Sequence, residues 1–224
     1  VRIAVLGTGT VGRTLAARLA GLGHETHVGT RDVEASLASA QESWDGSGTF
    51  AQWHAGNPGI PLGTFAEAAA GATVVFNATA GEGSLDALSA AGDLEGVVIA
   101  DVSNPLDHSQ GFPPLLSVCN DDSLAERIQR AHPGAKVVKT LNTVTAAVMV
   151  RPADVGGGDH TMFVAGEDAD AKATVRFLLE AFGWRHVVDL GGIRGARAME
   201  MYLPLWLQLM GAHGSPMFNV KVVS

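Results

Sequence analysis

The 224-residue chain has a single cysteine, Cys119, and a single tyrosine, Tyr202. One thiol cannot close an intrachain disulfide, and such cysteine usage fits a reducing, cytoplasmic setting. There is no C-x-x-C or H-E-x-x-H, and none of the eight histidines stands at metal-ligand spacing from another, so no metal site is expected. The nucleophile elbow G-x-S-x-G, the P-loop lysine pattern and a Tyr-x-x-x-Lys pair are also missing. Basic residues are scarce, 15 against 23 acidic ones, and the formal net charge of −8 argues against nucleic-acid binding and against a basic membrane-surface patch. The longest apolar run, residues 203–210, contains Pro204 and Gln208 and is too short to cross a bilayer. No signal-peptide pattern precedes the first core sequence.

Hydrophobic sequence running directly into glycine is what the chain does have. Arg2–Leu6 is short, apolar and β-branched, as a buried parallel strand requires. Gly7-Thr8-Gly9-Thr10-Val11-Gly12 follows with G-x-G-x-x-G spacing, and residues 13–22 continue at helical period. Strand, glycine turn and helix in that order form the dinucleotide fingerprint. Gly7 permits the tight turn, Gly9 admits a pyrophosphate to the backbone, and Gly12 lets helix and strand pack closely. The free N–H groups of the helix would receive the pyrophosphate. A second strand, Glu25-Thr26-His27-Val28-Gly29, ends at Thr30-Arg31. NAD enzymes usually place a carboxylate there for the ribose hydroxyls. A hydroxyl and a forked, permanent cation suit a 2′-phosphate instead, which selects NADP(H). Asp32 could be a displaced ribose acid, but it is read as the N-cap of a helix over 33–40.

Strand and helix signals alternate throughout, the mark of an α/β fold with a mainly parallel, doubly wound Rossmann-type sheet. Apolar content of 46% with 17% charged residues indicates a well-buried globular unit. Residues 43–61 show no clear periodicity and read as an irregular surface excursion anchored by Trp44, Phe50 and Trp53. Further strands are expected at 73–77, 97–101, 136–140, 161–165 and 185–189, with helices at 84–91, 123–130 and 169–182. A short helix opens at Thr64 with a capping-box pattern. Residues 193–210 predict one long helix, apolar nearly all round and kinked at Pro204, buried in a core or a subunit interface. The expected organisation is one domain over 1–224, a dinucleotide-binding core at 1–150 and a packed α/β extension at 151–224. The apolar helix suggests a homodimer.

In an open parallel sheet, ligands lie beyond the carboxyl ends of the strands. Besides the fingerprint, those ends carry Asn77-Ala78-Thr79-Ala80-Gly81, Asp101 to Ser103-Asn104-Pro105, and Thr140 to Asn142-Thr143. Such loops could be ordinary turns, which favour the same residues, but the fold rule points to the same places. Of the histidines only His108 follows a crevice loop. Carbonyl reduction needs a general acid, and the sequence offers no clear one. Hydride transfer between two ring systems needs only positioning and shielding.

Four stretches carry a family likeness: I-A-V-L-G-T-G-T-V-G, V-G-T-R, K-T-L-N-T and the closing P-L-W-L-Q-L-M-G-A-H-G-S-P-M-F-N-V-K. They resemble the coenzyme F420-dependent NADP oxidoreductases over nearly the whole chain. The resemblance implies that Gly7, Thr8, Gly9, Thr10, Val11 and Gly12 cradle the pyrophosphate and that Thr30 and Arg31 hold the 2′-phosphate. It further implies that Asn77, Ala78, Thr79 and Ala80 line the nicotinamide pocket. A deazaflavin, coenzyme F420, would stack on the nicotinamide, bordered by Ser103, Asn104, Pro105, by Asn142, Thr143, Val144 and by residues near 210–217. This chain departs from the family pattern at Asn142, where relatives carry histidine, and at Val33-Glu34-Ala35, where a second basic residue is missing. Rival readings are an imine or carbonyl reductase, a ferric or flavin reductase, and an NADP(H)-binding redox sensor.

Overall fold

The structure, a computed structural model, describes residues 1–43 and 45–223. In chain order its elements are β1 (Arg2–Leu6), α1 (Thr10–Gly21), β2 (Glu25–Thr30), α2 (Val33–Ala38), α3 (Phe50–Ala55), β3 (Leu62–Thr64), α4 (Phe65–Ala69), β4 (Val74–Asn77), α5 (Ser84–Ala90) and β5 (Val98–Asp101). They continue with β6 (Leu106–Asp107), β7 (Leu115–Leu116), α6 (Leu124–Ala131), β8 (Lys136–Thr140), α7 (Ala146–Val150), β9 (Thr161–Ala165), α8 (Ala169–Phe182), β10 (His186–Asp189), α9 (Ala196–Met201) and α10 (Leu203–His213).

Eight strands form one sheet in the order β10-β9-β8-β5-β4-β1-β2-β3. From β3 to β8 all neighbours are parallel, and the direction reverses between β8 and β9, where Lys139 faces Ala165 and Thr140 faces Val164. The fold is Rossmann-like, with mostly parallel strands. The strands are β-branched and apolar because both faces are covered: Ile3, Val5, Val28, Val74, Phe76 and Val138 join one core with α1, α7 and α8, while Ala4, Leu6, Val75, Ile99 and Val137 join the other with α4, α5 and α6. Strand order turns back between β1 and β4, so the topological switch point lies beside the glycine fingerprint.

Several expectations need correction. The excursion 43–61 is partly regular: α3 sits there behind a capping box, in which Thr49 Oγ1 accepts from Gln52 N and Gln52 Oε1 accepts from Thr49 N. Phe50 is buried and stacks on Trp53 at 5.5 Å; the third expected anchor, Trp44, lies outside the described residues. The helix expected over 193–210 comprises a 3-10 turn at Ile193–Gly195, then α9, then α10. Pro204 has no N–H for the Glu200 carbonyl, so one rung is missing there, while Tyr202 keeps right-handed backbone, donating to the Ala198 carbonyl and accepting from Trp206 N. Only Leu203 of α10 is buried, while Leu205 and Leu209 are exposed, so α10 is not a core helix of this chain. Trp206 of α10 stacks on Phe218 in the returning tail, and Thr161 N donates to the Val220 carbonyl. Among the described residues no helix is long and apolar enough to cross a membrane.

Candidate active site

The fingerprint turn depends on glycine at two positions. Gly7 adopts φ +123°, and a Cβ there would fall 2.5 Å from the Ala78 carbonyl oxygen. A Cβ on Gly12 would fall 2.0 Å from the Gly7 carbonyl oxygen. The turn, the start of α1 and the loop after β4 are therefore in backbone contact, with no room for a side chain. A Cβ on Gly9, by contrast, would meet nothing within 4 Å, because that backbone faces open space at the N-terminus of α1. That is the surface a pyrophosphate would use.

Two cavities flank this turn. The larger, about 660 Å³, is lined by Thr8, Gly9, Thr10, Arg13, Thr30, Arg31 and α2 residues including Ser36. Arg31 is exposed there and forms no ion pair among the described residues. Thr30 Oγ1 and Ser36 Oγ lie 2.7 Å apart, and Ser36 Oγ also donates to the Asp32 carbonyl. Asp32 Oδ1 accepts from Ala35 N, so its carboxylate caps α2 as expected. A free guanidinium beside two hydroxyls, with the nearby acid already engaged, fits a 2′-phosphate better than a bare ribose.

Arg13 was not singled out in the sequence. It is buried, donates from Nε to the Thr8 carbonyl and from a terminal nitrogen to the Gly48 carbonyl (both 2.8 Å), and lies 5.5 Å over the Phe50 ring. Burial pushes its pKa down, with Asp45 opposing the shift. It ties Gly48 and Phe50 to the fingerprint turn; a long cation directly after Gly12 was the available signal. Ser36 was missed as well, although it lies one turn into the helix that Asp32 was expected to cap.

The smaller cavity, about 210 Å³, lies at the switch point and is lined by Val11, Ala78, Thr79, Ala80, Gly81, Glu82, Val102, Ser103, Asn104, Leu106 and His108. It is mostly small and apolar, as a shielded nicotinamide pocket requires. His108 stands at its rim, on the hairpin formed by β6 and β7. Asn77 is fully buried behind the wall: its amide nitrogen donates to Asp101 Oδ1 at 2.9 Å, and its Oδ1 accepts from Thr79 Oγ1 at 2.7 Å. Pro105 is buried too. Asn142, Thr143 and Val144 are buried and line neither cavity. Asn142 Nδ2 donates to Asn104 Oδ1 and to the Met199 carbonyl, which ties the loop after β8 to α9. Among the described residues Asn142 Oδ1 and Thr143 Oγ1 have no partner, nor do Tyr202 OH, between α9 and α10, and Trp206 Nε1 of α10. Burial pushes the Tyr202 pKa up.

Comparison with known proteins gives the family and the fold. Residues 2–105 match the family described as NADP oxidoreductase, coenzyme F420-dependent. A crystal structure from Arthrobacter sp. FB24, provisionally named an F420-dependent NADP reductase, is 52% identical, with TM-score 0.95 over 100% of this chain and 99% of that one. The F420-dependent NADP reductase of Methanothermobacter marburgensis is 29% identical over 93% of this chain and 92% of its own length. The rat metalloreductase STEAP3 is 29% identical over 92% of this chain, which spans only 38% of that protein. A reductive aminase from Aspergillus terreus, 17% identical with TM-score 0.61 over 95% of this chain and 62% of its own, shares the fold. With its fingerprint turn and a relative 52% identical over 100% of this chain and 99% of its own, the chain belongs to the F420-dependent NADP reductase family and is an NADP-dependent oxidoreductase.

Proposed function

We propose that this oxidoreductase moves a hydride between NADP(H) and a deazaflavin of the coenzyme F420 type. The observation that carries the reading is the wall of the smaller cavity, which is small and largely apolar and contains neither the only tyrosine nor a lysine. Lys139 is sealed inside the fold, its ammonium held by Asp101 and Glu200. Ring-to-ring transfer needs alignment and exclusion of water, not a proton relay. NADP(H) supplies the hydride chemistry when bound. Gly9 and the N-terminus of α1 would hold its pyrophosphate, and Arg31, Thr30 and Ser36 its 2′-phosphate. Val11 and residues 78–80 would shield its nicotinamide. The M. marburgensis and Arthrobacter relatives support F420 as acceptor by their names. The test follows NADPH absorbance with F420, FMN, FAD, ferric chelate or a cyclic imine as acceptor. Rapid oxidation with F420 alone is expected, and turnover with every acceptor except F420 would refute the reading.

A second reading, reduction of an imine or carbonyl, is favoured by one observation: His108 at the cavity rim could donate a proton. His108→Ala would then abolish imine turnover, whereas F420 reduction would survive it.

Two copies of the chain would meet through α10. It carries no Asp, Glu, Lys or Arg in a chain of net charge −8, and it exposes Leu205 and Leu209. Leu205→Glu with Leu209→Glu would convert a dimer to a monomer by light scattering; a wild-type monomer would refute the pairing.

A further inference from the structure

Lys139 on β8 has no exposed surface, and neither does Asp101; Glu200 is 1% exposed. The ammonium lies 2.8 Å from Asp101 Oδ2 and 2.9 Å from Glu200 Oε1, and it also donates to the Ser103 carbonyl. Burial alone would push its pKa down, but the two carboxylates outweigh that and raise it. A buried ion cluster gives little net stability over an apolar core of the same volume, because desolvation offsets the Coulomb gain. Its value lies in the geometry it fixes.

That geometry leads to the nicotinamide cavity. Asp101 Oδ1 accepts from Asn77 Nδ2 at 2.9 Å, from Ser103 Oγ at 2.7 Å and from Ser103 N at 3.2 Å. Asn77 Oδ1 accepts from Thr79 Oγ1 at 2.7 Å, and that hydroxyl lies 3.0 Å from Ser84 Oγ at the start of α5. Thr79 and Ser103 are cavity-wall residues. On the other side, Glu200 accepts from Leu124 N at 2.8 Å and Ala125 N at 3.2 Å, so α9 is seated on the N-terminus of α6. One cation therefore sets the position of the loops after β4 and β5 and of the helix leading into α10.

We propose that Lys139 is a positioning residue: through Asp101 and Asn77 it fixes the wall against which the nicotinamide lies, and through Glu200 it holds that wall in register with the C-terminal helices. This rests on the NADP(H) reading but on no particular acceptor. Every link in the relay is within hydrogen-bond reach, so a break at either end would leave the wall free to shift by a rotamer. The adenosine cavity, bordered by β2 and α2, shares no lining residue with the relay and would be unaffected.

The test compares two ligands, NADPH and its fragment 2′-phospho-ADP-ribose, which has no nicotinamide. Asn77→Ala breaks the relay and leaves the ion cluster intact. The double variant Lys139→Met with Glu200→Gln removes the cation together with one facing charge. In both, fragment affinity is expected to stay within about twofold, whereas NADPH affinity falls about 5–30-fold toward that of the fragment. The fluorescence of bound NADPH should shift toward that of the free coenzyme. Equal loss for both ligands would mean general loosening and would overturn the proposal, as would unchanged NADPH affinity and emission in Asn77→Ala. If the double variant does not fold, Asn77→Ala decides alone. Wild-type protein that binds neither ligand would refute the coenzyme reading itself.

Discussion

If Arg31 holds the 2′-phosphate as proposed, replacing it with alanine should weaken NADPH far more than NADH. The guanidinium lines the larger cavity, exposed and without an ion-pair partner among the described residues, and it reaches within 3.7 Å of where a Cβ on Gly83 would stand. Among the described residues no hydrogen bond or ion pair is broken by its removal, so the fold should not suffer. On the proposed reading the change removes a charge-assisted contact with a 2′-phosphate, worth about 1.5–3 kcal/mol for a hydrogen bond to a charged group. At 1.4 kcal/mol per tenfold change, NADPH should bind about 10–150-fold more weakly. NADH has no 2′-phosphate and should change by about threefold or less. The discrimination between them therefore collapses, and that ratio is the quantity to measure, by fluorescence titration of each coenzyme. Because the contact is solvent-accessible, the wild-type preference should also shrink as salt rises and screens it. Equal weakening of both coenzymes would mean that Arg31 supports the adenosine or the loop rather than the phosphate, and the selectivity argument would fail.

Gly12→Ala puts a methyl group 2.0 Å from the Gly7 carbonyl oxygen, a backbone atom that cannot yield. It should cost at least about 2 kcal/mol and abolish NADPH binding; an unchanged melting temperature with intact binding would contradict the packing. The pair Glu126–Arg197, at 2.6 Å, joins α6 to α9, and the guanidinium's hydrogen bonds hold the Glu126 carboxyl below its usual range. Its stabilisation is thus fully present above the ordinary glutamate pKa and is lost as pH falls through the lower folded value. Glu126→Gln should be destabilised at pH 7 and lose less than wild type between pH 5 and 3 in urea titrations; parallel curves would refute this.

The parallel core could be read from the sequence because each buried strand is an uninterrupted apolar run and each crossover helix has an amphipathic period. The tight turn after β1 was equally plain, since glycine at Gly7 and Gly12 is a steric requirement that leaves its mark directly. What escaped was short or long-range. β3 has three residues and β6 and β7 two each, too few to show any alternation. The reversal at β9 depends on tertiary pairing, because Thr161–Ala165 is as apolar as a parallel strand would be. Residues 142–144 look like a crevice loop but lie under α9, joined to it by the bond from Asn142 to the Met199 carbonyl. Nothing in the local sequence fixes which face of β8 Lys139 takes; the distant Asp101 and Glu200 decide it.

The junction where Glu200 meets both Lys139 and the first two N–H groups of α6 limits how the molecule can be dissected. A polypeptide cut after residue 150 would keep Lys139 and Asp101 but lose the carboxylate that completes their charge balance. It would also strip the Leu124 and Ala125 N–H groups of their acceptor and remove Met199 from Asn142. The nucleotide-binding part, which sequence motifs present as a self-sufficient cassette, would thus be left with frayed ends at its centre. Grafting that cassette onto another scaffold, or swapping the last third between relatives, should succeed only when residues 139, 101 and 200 travel together.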